Sequence, residues 1–221
     1  MTVFDILIQY RGAFLGGLWV TLELFALTSL IGIFLGIFIG WLSAEYKIGI
    51  GMPVRAIGVI LGGIPILVLL FWFEYPFQML IKTVIDPFFV SVIAFSLVNV
   101  FACAQIVREA LDEFPGEYRM VARMADLSPG RTFLKIELPI IFRQILPSLL
   151  TLQINILQLT LFASLISVPE IFRVSQEINS VIYRPIEIYT ALAVFFVAIC
   201  VPLNVFAYWL KIRFTRKLSE K

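Results

Sequence analysis

Few side chains in this sequence could do chemistry, and the most distinctive of them are amides. Asn99, Gln105, Gln153, Asn155 and Gln158 lie within hydrophobic runs. Each can donate and accept hydrogen bonds without carrying charge. On a helix, Asn155, Gln158 and Phe162 fall on one face at spacings of three and four residues. Such a face suits a small polar solute, and it equally suits a hydrogen bond to a neighbouring helix. A second candidate is the stretch Glu113 to Pro139, EFPGEYRMVARMADLSPGRTFLKIELP, the longest charged segment of an oily chain. Other chemistry is missing. There is no histidine, the commonest metal ligand and proton shuttle. Cys103 and Cys200 sit in apolar runs and read as packing residues rather than a disulfide or zinc pair. No G-x(4)-GK[ST] phosphate loop occurs, and the acids cluster in loops with no nucleophile and base beside them. The expectation is a non-enzymatic chain with no cofactor or metal of its own, and no nucleic-acid partner.

The elements that position these groups follow from composition. The 221 residues are 61% hydrophobic and 14% charged, with a mean hydropathy of +0.99, which places the chain in the lipid membrane. Five stretches are long enough to cross as helices: Leu24 to Leu42, Ala56 to Phe73, Pro87 to Val107, Gln144 to Pro169 and Ile188 to Leu210. None contains Asp, Glu, Lys, Arg or His. The expectation is a single transmembrane domain over 1–221. Its spans run about 18–44, 54–75, 87–110, 144–169 and 187–211, and a loop over about 112–140 separates the third and fourth. No cleavable signal is expected, since the first oily run is too long for one. Of the 17 Lys and Arg residues, 13 fall in the loop after the first span, the central loop and the tail, against 4 on the other side. The positive-inside rule therefore puts the N-terminus outside and the C-terminus and central loop in the cytoplasm.

The central loop reads as two short helices. Pro115 suits a first turn, and Tyr118, Val121, Met124 and Ala125 follow at helical spacing. Ser128 and Pro129 repeat the start signal. Phe133, Ile136 and Ile140 make a second apolar stripe, which Pro139 bends or ends. In the first span Gly32, Gly36 and Gly40 form a ladder that lets another helix approach closely. In the second, Gly62-Gly63-Ile64-Pro65 predicts a kink.

In order and spacing the loop resembles the coupling loop of permease subunits in bacterial ATP-binding-cassette importers, especially the polar amino acid uptake family. That family's P-x(4)-EAA-x(3)-G followed by S-x(10)-LP corresponds here to Pro115, Met120-Val121-Ala122, Asp126, Ser128 and Leu138-Pro139. Met120 stands for the glutamate and Asp126 for the glycine. Further matches are Gly17, Thr21 and Leu22 to a G-x(3)-TL opening, GGIP to RGTP, Arg108 within E-x-x-R-G, and Thr160 to Glu170 within KDTSLASVIGVPE. The resemblance runs from about residue 17 to 210.

The resemblance implies an all-α type I importer permease of five transmembrane helices in the bacterial inner membrane. It also implies cytoplasmic ATPase subunits holding ATP and Mg, a second identical or paralogous permease, and a periplasmic or lipoprotein solute-binding protein. The solute would be an amino acid or a related polar compound. Tyr118, Val121, Met124 and Leu127 would insert into a groove of the ATPase, with Arg119, Arg123 and Asp126 at its rim. Where the family has ionisable residues, Gln105, Gln158, Leu159 and Gly62 stand here, so the expected path has no fixed charged site and is lined by Asn99, Gln105, Gln153, Asn155, Gln158 and Phe162. A self-contained channel or ion-coupled carrier is the alternative. It would usually need an ionisable group at mid-membrane.

Overall fold

Helix starts follow the capping chemistry of the sequence. The computed structural model describes residues 2–126 and 128–219. Leu127, and the side chains of Arg119, Val121, Ala122 and Arg123, lie outside the described residues. Thr2 and Asp5 close a capping box on α1 (Val3–Gln9), the Asp5 carboxylate accepting the Thr2 N–H at 2.7 Å. After α2 (Arg11–Glu45), a π-helical turn over Lys47–Gly51 leads into α3 (Met52–Gly63). Ile64 then takes an extended conformation, as a residue before proline prefers, and α4 (Ile66–Trp72) leaves at a new angle. The kink expected at Gly62–Pro65 is thus a break, with a bend of 100° between the helical stretches on either side. A π-helical turn containing Pro76 and α5 (Gln78–Ile81) follow. Asp86 caps α6 (Pro87–Asp112) by accepting the Phe88 N–H, with Pro87 in the first turn. The loop helices are α7 (Gly116–Met124) and α8 (Pro129–Thr132). Then come α9 (Leu138–Leu159), a 3-10 turn over Thr160–Ile166, α10 (Ile171–Ile182) and α11 (Pro185–Ser219). Among the described residues every regular element is helical.

Packing shows how these helices cross. The centre is the seam between α2 and α6, where Gly36 lies against Cys103 and Val100, and Gly40 against Ala104 and Val107. A Cβ on Gly40 would meet the Ala104 carbonyl oxygen at 2.6 Å, so the glycine ladder is what lets the two backbones come together. At one end of the bundle Leu24 and Leu70 pack with Val90, Phe95, Ala163 and Ile166. At the other, Val107, Phe114, Ile141 and Ile145 form a second core, and Lys47 reaches Asp112 at 2.9 Å. The bent pair therefore starts beside the C-terminal end of α6 and arrives beside its N-terminal end. Four helical stretches are long and apolar enough to cross a membrane, and the bent pair, taken as one span, makes five. The chain is the all-α membrane fold expected from its sequence.

Candidate functional site

Asn99 is fully buried on α6, and Gln153 almost so on α9. Their amides pair reciprocally: Asn99 Nδ2 donates to Gln153 Oε1 at 3.2 Å, and Gln153 Nε2 donates to Asn99 Oδ1 at 3.1 Å. Asn99 Nδ2 also donates to the Thr28 carbonyl of α2 at 3.1 Å, and Gly32 is the residue that makes room for its side chain. This clamp ties α2, α6 and α9 together and leaves no amide proton pointing into open space. Both residues were expected in the solute path; the structure places them in the packing of the subunit.

The other amides divide differently. Gln105 is exposed on α6 and donates to Glu109 Oε1 at 2.8 Å, one turn towards the loop end, so it does not join the central group. Asn155 and Gln158 are exposed on α9. They continue a row that begins with half-buried Gln144 and runs through exposed Ser148 and Thr151. Spacings of four, three, four and three keep these five residues on one face. Hydrocarbon offers such groups no hydrogen bonds, so the face belongs against water or protein. Sequence reading found the last two members and passed over Gln144, Ser148 and Thr151, although the spacing carried the signal. Phe162 does not extend the row. At Thr160 the helix tightens to a 3-10 turn, and the Phe162 ring packs half-buried on the core at that end of the bundle.

In the loop, α7 begins at Gly116, one residue beyond Pro115. The Tyr118 ring lies 5.7 Å from that of Phe114 and packs on the core beneath. Expected as a partner-facing residue, it anchors α7 to this chain instead. Its six-residue separation from Met124 is why: at 100° per residue the two point to different sides. Met120 and Met124, four apart, are 65% and 83% exposed and form the outward apolar surface among the described side chains of α7. Asp126 has φ 54°, in the left-handed region, where the family pattern has its glycine. Aspartate is among the few other residues that visit this region readily, which keeps the turn intact. Ser128 precedes α8, its carbonyl accepting the Thr132 N–H at 2.9 Å. Pro139 is exposed in the first turn of α9, which follows a π-helical turn over Phe133–Glu137 directly, so the proline does not end the helix there.

At the opposite end, two distant motifs meet. Gly17 lets Ile171 and Val174 approach α2, and Thr21 Oγ1 accepts the Ile171 N–H at 3.1 Å. Glu170 is wholly buried and caps α10, accepting the N–H groups of Arg173 at 2.7 Å and Phe172 at 2.9 Å. Burial pushes its carboxyl up to about 7, although both hydrogen bonds favour the ionised form. The sequence supplied both motifs without indicating that they touch.

An all-helical membrane bundle with an amphipathic loop at one end and a capped surface helix at the other has the architecture of a transport subunit. The family model described as binding-protein-dependent transport system inner membrane component matches residues 32–219, and the chain belongs to that family. It is 30% identical over 203 residues to the arginine ABC transporter permease protein ArtQ of Haemophilus influenzae, covering 89% of this chain and 90% of that one. It is 29% identical over 211 residues to the L-cystine transport system permease protein TcyB of Bacillus subtilis, covering 93% and 88%. In fold it is similar to a chain of the crystal structure of an amino acid ABC transporter with histidines, with TM-score 0.82, 24% identity, and 94% and 96% of the chains covered. A chain of the inward-facing MetNI methionine ABC transporter aligns with TM-score 0.66 and 18% identity over 96% and 97% of the two chains. The protein is a multi-pass membrane permease subunit of an ABC importer.

Proposed function

We propose that this subunit forms one wall of a path for an amino acid or a close polar relative, and that the row from Gln144 to Gln158 lines it. The observation that carries this reading is an exposed, uncharged polar stripe along a membrane-spanning helix. In hydrocarbon the amides of the row would lose their hydrogen bonds to water, whereas the Thr151 hydroxyl donates to the Pro147 carbonyl of its own helix. Facing a wet path, they offer donors and acceptors to a zwitterionic solute. The names of the relatives supply the substrate class. With amides and hydroxyls alone in the stripe, selectivity rests mainly on a secreted binding protein or a sister permease.

A second permease subunit, identical or paralogous, completes the path, and separate cytoplasmic ATPases hold the ATP and Mg. The chain sits in the bacterial cytoplasmic membrane with its N-terminus outside and its C-terminus inside. Met120 and Met124 dock on the ATPase, flexible thioether side chains being suited to a surface that must fit two states. Such docking does mechanical work only if its affinity differs between those states.

The test is reconstitution in vesicles with the ATPase and binding protein. ATP should drive uptake of a labelled amino acid. Met120→Glu with Met124→Glu should lower that uptake by about tenfold without loss of the permease from the membrane. Uptake that continues on an ion gradient with the ATPase omitted would overturn the reading.

A further inference from the structure

At the end of the bundle that carries α7 and α8, a cleft of about 280 Å³ opens between the Lys47–Gly51 turn, α3 and α6. Three cations reach it: Lys47, Arg55 and Arg108. Lys47 is spoken for, since its Nζ lies 2.9 Å from Asp112. The remaining nearby carboxylate on this face of α6, Glu109, accepts the Gln105 amide. Among the described residues Arg55 and Arg108 have neither a hydrogen-bond nor an ion-pair partner. Arg108 is nonetheless half-buried. Two guanidinium groups share one cleft from adjacent helices, so they repel each other until an anion lies between them. Their planar donor forks match the oxygens of a phosphate. Beside them, Ile48 and Met52 are 84% and 70% exposed. A free inorganic anion would gain nothing from that apolar rim, whereas an acyl chain would.

We propose that this cleft binds the headgroup of an anionic phospholipid, its phosphate held by Arg55 and Arg108 and its chain lying along Ile48 and Met52. Basic pockets between spans at a membrane surface recognise lipid phosphates in this way. The inference needs only the membrane-spanning fold, and it does not depend on the solute assigned above. Lipid held here ties the start of the bent pair to α6, beside the Lys47–Asp112 contact.

Native mass spectrometry of the purified subunit, with phosphatidylglycerol and phosphatidylcholine of equal chain length, tests the proposal. Phosphatidylglycerol should be retained preferentially. Arg55→Gln with Arg108→Gln should weaken that preference about 30-fold, near fivefold for each basic contact at a membrane surface. Arg55→Lys with Arg108→Lys should keep more of it than the glutamines do, and Arg173→Gln at the opposite end should keep all of it. Melting temperatures within a few degrees of the parent show that the variants are folded, and the lysine pair reads the site if the glutamine pair is not. Equal retention of the two lipids, or a preference untouched by the glutamine pair, overturns the proposal. Displacement of bound lipid by millimolar inorganic phosphate also overturns it, because the site would then read the anion alone.

Discussion

Gln153 and Asn155 lie two positions apart on α9 and have opposite surroundings. Gln153 points into the bundle, where the Asn99 amide meets it donor to acceptor twice over. Asn155 points away from the bundle and joins a row of exposed polar groups. Two residues along a helix is a rotation of about 200°, enough to move an amide from one role to the other. An amide within a span is therefore not by itself a mark of function. The face it occupies decides whether it holds helices together or meets a solute.

Glu170 sharpens that contrast most, being a buried polar group that can also ionise. Its folded value of about 7 lies above the ordinary 4.5. Between those values the folded state binds the extra proton, so stability should fall as pH rises from about 4.5 to 7 and then level off. The total change should be roughly 3 kcal/mol at most. Thermal melts in detergent from pH 4.5 to 8 should show this slope, and Glu170→Gln should flatten it. An equal slope in the variant would assign the pH dependence elsewhere.

The clamp is next. Gln153→Leu takes away both bonds between the paired amides, leaving Asn99 in the interior with its Nδ2 bond to the Thr28 carbonyl, and should cost about 2 kcal/mol. Adding Asn99→Leu removes both partners and should recover much of the loss, since paired apolar replacements of similar shape leave nothing unsatisfied. Unfolding by denaturing detergent in bicelles measures both. A double variant less stable than the single would show that the pair is not an isolated clamp.

On the exposed row the pattern should reverse. Asn155→Leu with Gln158→Leu is expected to change stability by less than about 0.5 kcal/mol, while uptake into reconstituted vesicles drops by about tenfold. Lost assembly with these substitutions would move the row from path to packing, and the distinction between the two faces of α9 would fail.

The smallest effect is expected at Asp126. Glycine occupies the left-handed region without a Cβ clash, so Asp126→Gly should gain a few tenths of a kcal/mol and leave uptake unchanged. Replacement by valine, whose branched side chain suits that region poorly, should do the opposite. Hydrogen exchange over α7 and α8 reads the difference. Uptake that changes with glycine would give the carboxylate a role beyond the turn.

Composition and periodicity alone determined that this chain crosses a membrane as helices. Lipid satisfies no backbone hydrogen bonds, and five long uncharged runs leave the chain no other solution. Local rules also carried the glycine ladder as a face for close approach, the break at Ile64-Pro65, and the start of α8 after Ser128, because each depends on neighbouring residues only; that α6 fills the ladder was decided by packing. The tertiary structure decided what lies across from each side chain. It turned Tyr118 inward onto Phe114, sent Gln105 to Glu109, and paired Asn99 with Gln153. It brought Thr21 to the Ile171 N–H, 150 residues away in sequence, and set Arg55 beside Arg108. The register of one helix against another is fixed by packing between segments far apart in the chain, and the spacing within either segment does not contain it.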